Sequence, residues 1–236
     1  MALLSVQDLS VAIGRVQPDA DIARGVELLR GAGVTSLNFD LMYGLPGQTT
    51  GDLDDTLKRT VALGADRIAL FGYAHVPHMI PRQKRIASDN LPDQRERFAM
   101  ARLGYELLTA AGYEAVGFDH FALPGDPLAV ARREGRLHRN FQGFTEDAAP
   151  SLIGLGASSI SSFEGALLQN EKNAGRYRML LSQDRLPVSR GILRSPADGL
   201  RGRLIEALLC QGEADLDTSV TADAAMLLAP FTQRGL

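Results

Sequence analysis

The chain has 236 residues, of which 45% are hydrophobic and 22% charged, a composition typical of a globular protein with a sizeable core. Its formal net charge of −3 and sequence pI near 5.8 exclude a broad basic surface for nucleic acid or anionic lipid. The single cysteine excludes a disulfide framework, and with no signal-peptide pattern in "MALLSVQDLS" and no apolar run near the roughly 20 residues of a membrane span, a cytoplasmic protein is expected.

The first 120 residues repeat a pattern in which an amphipathic helix ends at glycine and a short apolar strand follows. Helices are predicted in "PDADIARGVELLRGAG", "TTGDLDDTLKRTVALG" and "LPDQRERFAMARLGYELLTAAG", with stops at Gly33, Gly64 and Gly112. Their buried faces are predicted to carry Ile22, Val26 and Leu29, then Leu53, Leu57 and Val61, then Met100, Leu103 and Leu107.

The strands "VTSLNFD", "DRIALFGY" and "YEAVGFDH" follow these helices, and "LLSVQD" is predicted as one more strand near the start of the chain. Helices that alternate with strands indicate parallel βαβ units. About four strands are fewer than the eight of a closed barrel, so the sheet is predicted to be open or incomplete. Beyond residue 120 the chain is loop-rich, with strands or turns in "SLIGLGASSISSFEG" and "ALLQN" and helices over about 171–182 and 197–210.

Polar side chains follow each predicted strand, at the carboxyl end where ligands of parallel α/β proteins bind. They are Gln7 and Asp8, Asp40 and Tyr43, Tyr73 and His75 with Ala74 between them, and Asp119 and His120. Each alone is also explained as a turn cap or a loop histidine, but four placements on one rim favour a binding site. A carboxylate such as Asp40 suits the ribose hydroxyls or the amine of a polar small molecule.

Arginines and phenylalanines crowd together in "RREGRLHRNFQGFT", which is predicted to be a loop. The residues are Arg132, Arg133, Arg136, Arg139, Phe141 and Phe144. Arginine pairs with carboxylates and a phenyl ring with a flat face, so the loop suits a carboxylated aromatic or macrocyclic ligand. A solvated basic loop is the equal alternative.

Three other kinds of site are disfavoured. His75 and His78 lie in irregular chain with no matching pair elsewhere, so a histidine metal site is not expected. No serine stands in the strand-turn-helix context of a G-x-S-x-G nucleophile, so a serine hydrolase is not expected. "GLGAS" lacks the third glycine of a dinucleotide fingerprint, and is interpreted as close backbone packing at Gly154 and Gly156.

Four motifs follow one another along the chain: "NFDLMYGLPGQT", "FGYAHVPHMIPRQKRI", "GFDHFALPGDPLAVARREGRLHRNFQGFT" and "IGLGASSISS". In this order and spacing they resemble the oxygen-independent coproporphyrinogen III oxidases, a radical S-adenosylmethionine (SAM) family of heme synthesis. The resemblance runs from about Leu4 to Cys210. It implies an α/β fold, an incomplete parallel (β/α) barrel of the radical SAM type followed by a helical C-terminal domain.

The resemblance also implies the chemistry. The family binds two SAM molecules and one [4Fe-4S] cluster, whose electron cleaves SAM to a 5′-deoxyadenosyl radical that takes hydrogen from a propionate. Loss of carbon dioxide and an electron leaves a vinyl group, and two rounds convert coproporphyrinogen III into protoporphyrinogen IX. The expected partners are therefore coproporphyrinogen III and an electron donor, without nucleic acid or membrane.

Several residues match family positions with a role in binding. Those expected to hold the second SAM are Gln7, Arg15, Asp40 and Ala74, and Ile160 is expected to contact the first through its backbone. Phe141 and Gln142 are expected near the cofactors and the porphyrinogen. Arg136 and Arg139 are expected to pair with propionates, an expectation from their charge rather than from a family motif.

The chain departs from the family in the part that binds the cluster. The C-x-x-x-C-x-x-C loop is absent, so no metal ligands are assigned, and Cys210 stands alone. A glycine-rich segment and a glutamate that hold SAM are absent too. The stretch between "SVQD" and "GRVQP" is also shorter than in the family, and Ser5 replaces a usual glycine.

The chain is accordingly predicted to be an N-terminally truncated oxidase whose C-terminal domain is also cut. Residues 1–125 are expected to form the C-terminal half of the barrel, 126–170 the substrate and cofactor loop with short strands, and 171–236 part of the helical domain. Catalysis by this chain alone is not expected, since cleavage of SAM needs an electron from the cluster. Two alternatives stay open, a non-catalytic tetrapyrrole- or SAM-binding protein and an inactive gene fragment.

Overall fold

The computed structural model describes residues 18–86, 88–215, 229, 230 and 233. The chain divides into two compact units, called unit 1 and unit 2, with the boundary between Glu134 and Gly135. The predicted strand "LLSVQD" and the predicted site residues Gln7 and Arg15 lie outside the described residues.

Unit 1 is built from helices and strands in alternation. In chain order the elements are α1 (Asp19–Gly31), β1 (Asn38–Tyr43), α2 (Thr50–Ala62), β2 (Arg67–Gly72), α3 (Gln94–Ala110), β3 (Glu114–Val116), β4 (His120–Ala122) and α4 (Pro127–Arg133). Two 3₁₀ turns, Pro81–Arg85 and Ser88–Asn90, lie between β2 and α3. The three predicted amphipathic helices are confirmed as α1, α2 and α3.

Side-chain caps and glycines set the ends of these helices. Thr49 and Asp93 each form a capping box, in which the side chain accepts a hydrogen bond from the third backbone N–H of α2 or α3. Gly33, Gly64 and Gly112 follow the C-termini with φ of +87°, +72° and +89°, a conformation that glycine adopts at little cost. The predicted glycine stops are therefore confirmed.

The strands of unit 1 form a mixed sheet in the order β1-β2-β4-β3. β1 and β2 are parallel, from the pair Asn38 and Arg67 to the pair Tyr43 and Gly72, as predicted. The prediction of one parallel strand over "YEAVGFDH" is wrong, because Gly117 takes a φ of +63° and the chain turns back into β4. β4 then pairs antiparallel with both β3 and β2.

One face of this sheet packs against the helices and forms the core. The cluster contains Phe39, Leu41, Ile68, Leu70 and Phe121 from the strands and Ile22, Leu53, Leu57, Met100 and Leu108 from the helices. Leu29 is 47% exposed, so its predicted inward position on α1 is wrong. The last turn of α1 is held instead by Arg30, which donates to Asp66 at 2.5 Å.

Unit 2 consists of small antiparallel sheets and helices. Its elements are β5 (His138–Asn140), β6 (Gly143–Thr145), β7 (Ile160–Phe163), β8 (Ala166–Asn170), α5 (Ala174–Ser182), β9 (Val188–Leu193) and α6 (Pro196–Gln211). β5 and β6 form a hairpin, and β7, β8 and β9 form a second sheet in that order. The strands predicted over "SLIGLGASSISSFEG" and "ALLQN" and the two predicted helices are confirmed, whereas β9 is an addition. None of the helices in the described ranges has the length and apolar character needed to cross a membrane.

Candidate functional site

The sheet face of unit 1 that lies opposite to α1, α2 and α3, called the inner face, carries Asp40. Side chains alternate along a strand, so Phe39 and Leu41 in the core put Asp40 on the opposite face. Its Oδ1 accepts a 2.7 Å hydrogen bond from Asn38 Nδ2. The prediction that Asp40 ends its strand is wrong, because β1 runs on as far as Tyr43. Asp40 therefore lies in mid-strand.

Asp40 lies in one row with Ala69 and His120 across the inner face. In the strand register Asp40 pairs with Ala69, and Ala69 pairs with His120. Paired residues of neighbouring strands share a face, and only the methyl group of Ala69 stands between the carboxylate and the imidazole. Phe71 contacts His120 edge-on, with ring centroids 5.8 Å apart. The row offers an acid, a histidine and an aromatic ring to one ligand.

His120 is fixed by its neighbour in the sequence, Asp119. The His120 Nδ1 atom lies 2.6 Å from Asp119 Oδ1, and only 14% and 13% of the two side chains are exposed. A carboxylate at this distance favours a proton on Nδ1 and fixes the orientation of the ring. Asp119 lies between β3 and β4, and His120 is the first residue of β4. Both residues stand at the end of the fourth strand that the sequence predicts.

The loop after β2 contains Tyr73, Ala74 and His75, as predicted, and the buried Gln83 holds it. Gln83 Nε2 donates to the Ala74 carbonyl at 2.9 Å, and its Oε1 accepts from the Val76 N–H at 2.6 Å. Burial raises the pKa of Tyr73, so its hydroxyl stays protonated at neutral pH, and this hydroxyl forms a hydrogen bond of 3.2 Å with His75 Nδ1. A ligand at Ala74 would meet a preformed loop.

The "YGLPGQT" turn fixes the carboxyl end of β1. Gly44 and Gly47 take φ of +78° and +72°. The side chain of Gln48 is buried in the turn, where its Oε1 accepts from the Leu45 N–H at 3.1 Å and its Nε2 donates to the Met42 carbonyl at 3.3 Å. The turn thus joins β1 to the capping residue of α2 through satisfied polar groups.

Arg97 of α3 lies at the carboxyl ends of β1 and β2. Its guanidinium carbon is 5.9 Å from the centroid of the Tyr43 ring. Cβ atoms built on Gly44 and Gly72 would lie 2.7 Å and 3.1 Å from its guanidinium nitrogens, so both glycines make room for it. Sequence reasoning missed Arg97, since the pattern of a helix does not show which side chain reaches back to a strand end. The glycine at position 72, at the end of a strand, is the one signal of a close approach.

In unit 2, Phe141 and Gln142 form the turn of the β5–β6 hairpin. The Gln142 N–H donates to Asn140 Oδ1 at 2.8 Å, which closes the turn. Phe141 is 53% exposed. Arg139 of β5 has its guanidinium 5.6 Å from the centroid of the Phe144 ring. The hairpin therefore offers an exposed ring and a cation close together.

The prediction that four arginines lie together in one loop is wrong in part. Arg132 and Arg133 belong to α4, and Arg133 forms an ion pair with Glu114 at 2.6 Å. Arg136 is exposed and precedes β5, and Arg139 lies within it. The segment is a helix end followed by a hairpin rather than one loop.

A cavity of about 530 Å³ lies beside this hairpin in unit 2, a volume typical of small-molecule sites. Its lining consists of His138, Arg139, Asn140, Phe141, Thr145, Asp147, Ala148, Ala149, Pro150, Leu152, Ser162, Leu167, Arg194 and Glu206. Of the predicted site residues, Arg139 and Phe141 are brought together here, while Arg136, Gln142 and Ile160 are outside the lining.

Ile160 opens β7, and its backbone lies directly against Gly154. A Cβ atom built on Gly154 would be 2.6 Å from the Ile160 carbonyl oxygen, so any side chain at position 154 would collide with that backbone. Asn170 Nδ2 donates to the carbonyls of Gly154 and Gly156, each at 3.0 Å. The interpretation of "GLGAS" as close backbone packing is confirmed at Gly154 and wrong at Gly156, where a Cβ atom would lie 3.5 Å from Ser159 Oγ and glycine serves the φ of +104°.

The residues present do not fit an iron-sulfur cluster. Such clusters are held by several thiolates, and the chain has a single cysteine. Cys210 is 2% exposed, and burial raises the pKa of its thiol to about 11. Within the described ranges, no group of three or more histidine, cysteine, aspartate or glutamate side chains is arranged to hold a metal ion.

The chain was compared with known proteins. No protein-family model matches it. The oxygen-independent coproporphyrinogen III oxidase of Cereibacter sphaeroides is 47% identical over 219 residues, which are 91% of this chain and 48% of the relative. The oxidase of Paracoccus denitrificans is 44% identical, and the match covers 90% of this chain and 48% of the relative. The oxidase of Salmonella typhimurium is 36% identical, and the match covers 99% of this chain and 54% of the relative.

A solved structure has the same fold. It is the coproporphyrinogen III oxidase of Escherichia coli, a radical SAM enzyme, which matches 98% of this chain and 56% of its own with a TM-score of 0.86 and 36% identity. This chain matches part of an oxygen-independent coproporphyrinogen III oxidase. The predicted family resemblance and the predicted α/β fold are confirmed. The chain spans about half the length of the curated oxidases that it matches.

The residues that the oxidase resemblance marks for SAM are distributed over both units. Asp40 is on the inner face and Ala74 in the loop after β2, both in unit 1, whereas Ile160 is in β7 of unit 2. Gln7 and Arg15 lie outside the described residues. Their contacts with SAM remain predictions, as do the substrate roles of Phe141 and its neighbours in the hairpin.

Proposed function

We propose that this chain supplies part of the SAM site and part of the porphyrinogen site of a cytoplasmic oxygen-independent coproporphyrinogen III oxidase. Identity of 47% to such an oxidase over most of the chain supports this function. The observation that carries it is the row of Asp40, Ala69 and His120 on the inner face of the sheet. This row would present polar side chains to a ligand on the face opposite to α1, α2 and α3.

The second SAM would be held in unit 1. Asp40, oriented by Asn38, accepts hydrogen bonds from the ribose hydroxyls or pairs with the ammonium group of the cofactor. Ala74 contacts it from a loop that Gln83 holds in place, and Gln7 and Arg15 complete the set. The first SAM contacts the backbone of Ile160, where glycine at position 154 keeps side chains away.

The porphyrinogen would be held in unit 2. Arg136 and Arg139 pair with propionates, since guanidinium groups form paired hydrogen bonds with carboxylates. Phe141 offers its exposed ring to the macrocycle, and Gln142 lies beside it in the turn. In these roles the two arginines would bind the charged arms, and the residues of the hairpin turn would bind the apolar ring system.

A bound SAM would supply the radical chemistry that acts on a propionate of coproporphyrinogen III. The residues of each unit would bind and orient the ligand assigned to that unit. The thiolates for the cluster have to come from outside this sequence, because it has one cysteine. Without them the chain binds ligands and does not turn over.

SAM binding tests this function, with Asp40→Asn as the decisive variant. Calorimetric titration of the purified chain should show saturable binding of SAM, and the variant should weaken it by roughly tenfold or more, because a charged acceptor is lost. Asp55→Asn, at an exposed position of α2, is the matched control and should bind as the wild type does. A wild-type chain without saturable SAM binding, or an Asp40→Asn variant of unchanged affinity, contradicts the proposal.

A further inference from the structure

We propose that the cavity of unit 2 binds a carboxylate of the porphyrinogen through Arg194, a residue outside the motifs discussed above. The inference deepens the proposed function and rests on it for the identity of the ligand. The site consists of the cavity beside the β5–β6 hairpin, the guanidinium of Arg194 and the apolar side chains around it.

Arg194 is a rigidly held cation. It follows β9, its backbone N–H donates to the Gly165 carbonyl at 2.9 Å, and its Nη2 donates to Ser162 Oγ at 3.0 Å and to the Phe163 carbonyl at 2.9 Å. These bonds fix one edge of the guanidinium against β7. A side chain fixed in this way loses little conformational freedom when a ligand binds.

The charge of Arg194 has no acidic partner in the part of the chain that the structure describes. Its Nη2 bonds only to a hydroxyl and a carbonyl, its Nε is buried without a hydrogen-bond partner, and within the same ranges Nη1 makes no hydrogen bond. Nη1 is not among the buried atoms, so it is the guanidinium nitrogen that a ligand in the cavity can reach, and a carboxylate is the acceptor whose geometry fits a guanidinium best. We therefore expect the cavity to bind an anion at Arg194.

The acids in the lining are already engaged elsewhere. Glu206 Oε1 accepts from His138 Nδ1 at 3.1 Å and from the Arg139 N–H at 3.2 Å. Asp147 Oδ1 accepts from the Ala149 N–H at 2.9 Å. Both carboxylates thus stabilise the hairpin and the loop after it, and neither forms an ion pair with Arg194 within the described residues.

The rest of the lining favours an anion with an apolar body. Phe141, Leu152, Leu167 and Pro150 surround the cavity together with two alanines. Its volume of about 530 Å³ accommodates a propionate arm with part of a macrocycle rather than a small inorganic ion. A tetrapyrrole with propionates combines both features, a flat apolar body and carboxylates on flexible arms.

The test is a fluorescence titration of the chain with coproporphyrin III, the stable oxidised form of the porphyrinogen. Arg194→Met keeps the aliphatic stem and removes the charge, and should weaken binding roughly 10- to 100-fold, as expected for a lost charged hydrogen bond. Arg194→Lys should recover part of the affinity. Arg190→Met, an exposed position on β9 outside the lining, should bind as the wild type does.

Two further measurements keep the outcome decisive. The tetramethyl ester of coproporphyrin III has no carboxylates and should bind far more weakly than the free acid. Should Arg194→Met fail to fold, Ala149→Phe fills the cavity while leaving Arg194 intact, and should also weaken binding. The inference is overturned if Arg194→Met binds coproporphyrin III with unchanged affinity, or if Ala149→Phe does so where Arg194→Met is unfolded. It is also overturned if the ester binds as tightly as the free acid. SAM binding should be unchanged in these variants, so a failure here is distinguishable from a failure of the proposed function.

Discussion

Unit 1 has one large cluster of buried apolar side chains against its sheet, whereas unit 2 contributes none to this cluster and leaves many apolar side chains exposed. Every residue of the main core cluster lies in unit 1. In unit 2 all of β9 is exposed, and Leu155, Leu186 and Leu193 are each 85% exposed. Burial of apolar surface is the main stabilising contribution to a fold, so unit 2 depends more on other contacts.

Those other contacts are side chains that bond to backbone groups of distant segments. Asn170 reaches the carbonyls of Gly154 and Gly156, and the Tyr177 hydroxyl accepts from the Gly156 N–H at 3.1 Å. Glu206 of α6 connects to the β5 strand through two hydrogen bonds. Each such bond stabilises by only about 1 kcal/mol. Because unit 2 is held by separate hydrogen bonds rather than by a densely packed core, it has room for an open cavity.

The core of unit 1 should respond strongly to truncation. Leu57→Ala removes a side chain with no exposed surface, and should lower the free energy of unfolding by about 2 to 5 kcal/mol. Leu29→Ala, at a position that is 47% exposed, is the matched control and should cost less than about 1 kcal/mol. Chemical denaturation followed by circular dichroism measures both. Equal effects of the two variants would contradict the assignment of the core.

Alanine in place of two helix glycines, one in each unit, should change the free energy of unfolding in opposite directions. A Cβ on Gly104 of α3 would lie 2.3 Å from Leu70 Cδ2, so Gly104→Ala should destabilise by about 1 to 3 kcal/mol through overpacking. Gly202 of α6 is exposed and has nothing within 4 Å of such a Cβ. Gly202→Ala should therefore stabilise by about 1 kcal/mol, the difference in helix propensity. Thermal unfolding gives both signs, and a shift in the same direction would refute the difference in packing between the units.

The parts of unit 1 that the sequence predicts correctly are those determined locally. The three helices follow from apolar periodicity and from glycine stops, because both act within a few residues. The parallel pair β1 and β2 follows from the alternation of helices and strands. The turn into β4 depends on the single glycine at position 117, which a pattern read as one continuous strand conceals.

The site is less predictable because its geometry depends on partners far along the chain. The position of Asp40 in mid-strand is set by where β1 meets β2, and not by the residues around Asp40. Gln83 and Arg97 reach their loops through tertiary contacts that no periodic pattern contains. Most of the residues expected at the cofactors came from family resemblance, and Arg194 is visible only once the cavity is known.

The most local of the expected effects concerns the polar contacts of unit 2. Asn170→Ala removes both donors to the backbone around Gly154, and should lower the free energy of unfolding by about 1 to 2 kcal/mol. Hydrogen exchange should rise in the segment 152–158 and stay unchanged in β1 and β2, because the loss is local. Asn170→Asp keeps the size of the side chain but has no N–H, so it should be at least as harmful as alanine. Wild-type exchange in Asn170→Asp would mean that packing, rather than hydrogen bonding, holds this loop against β7.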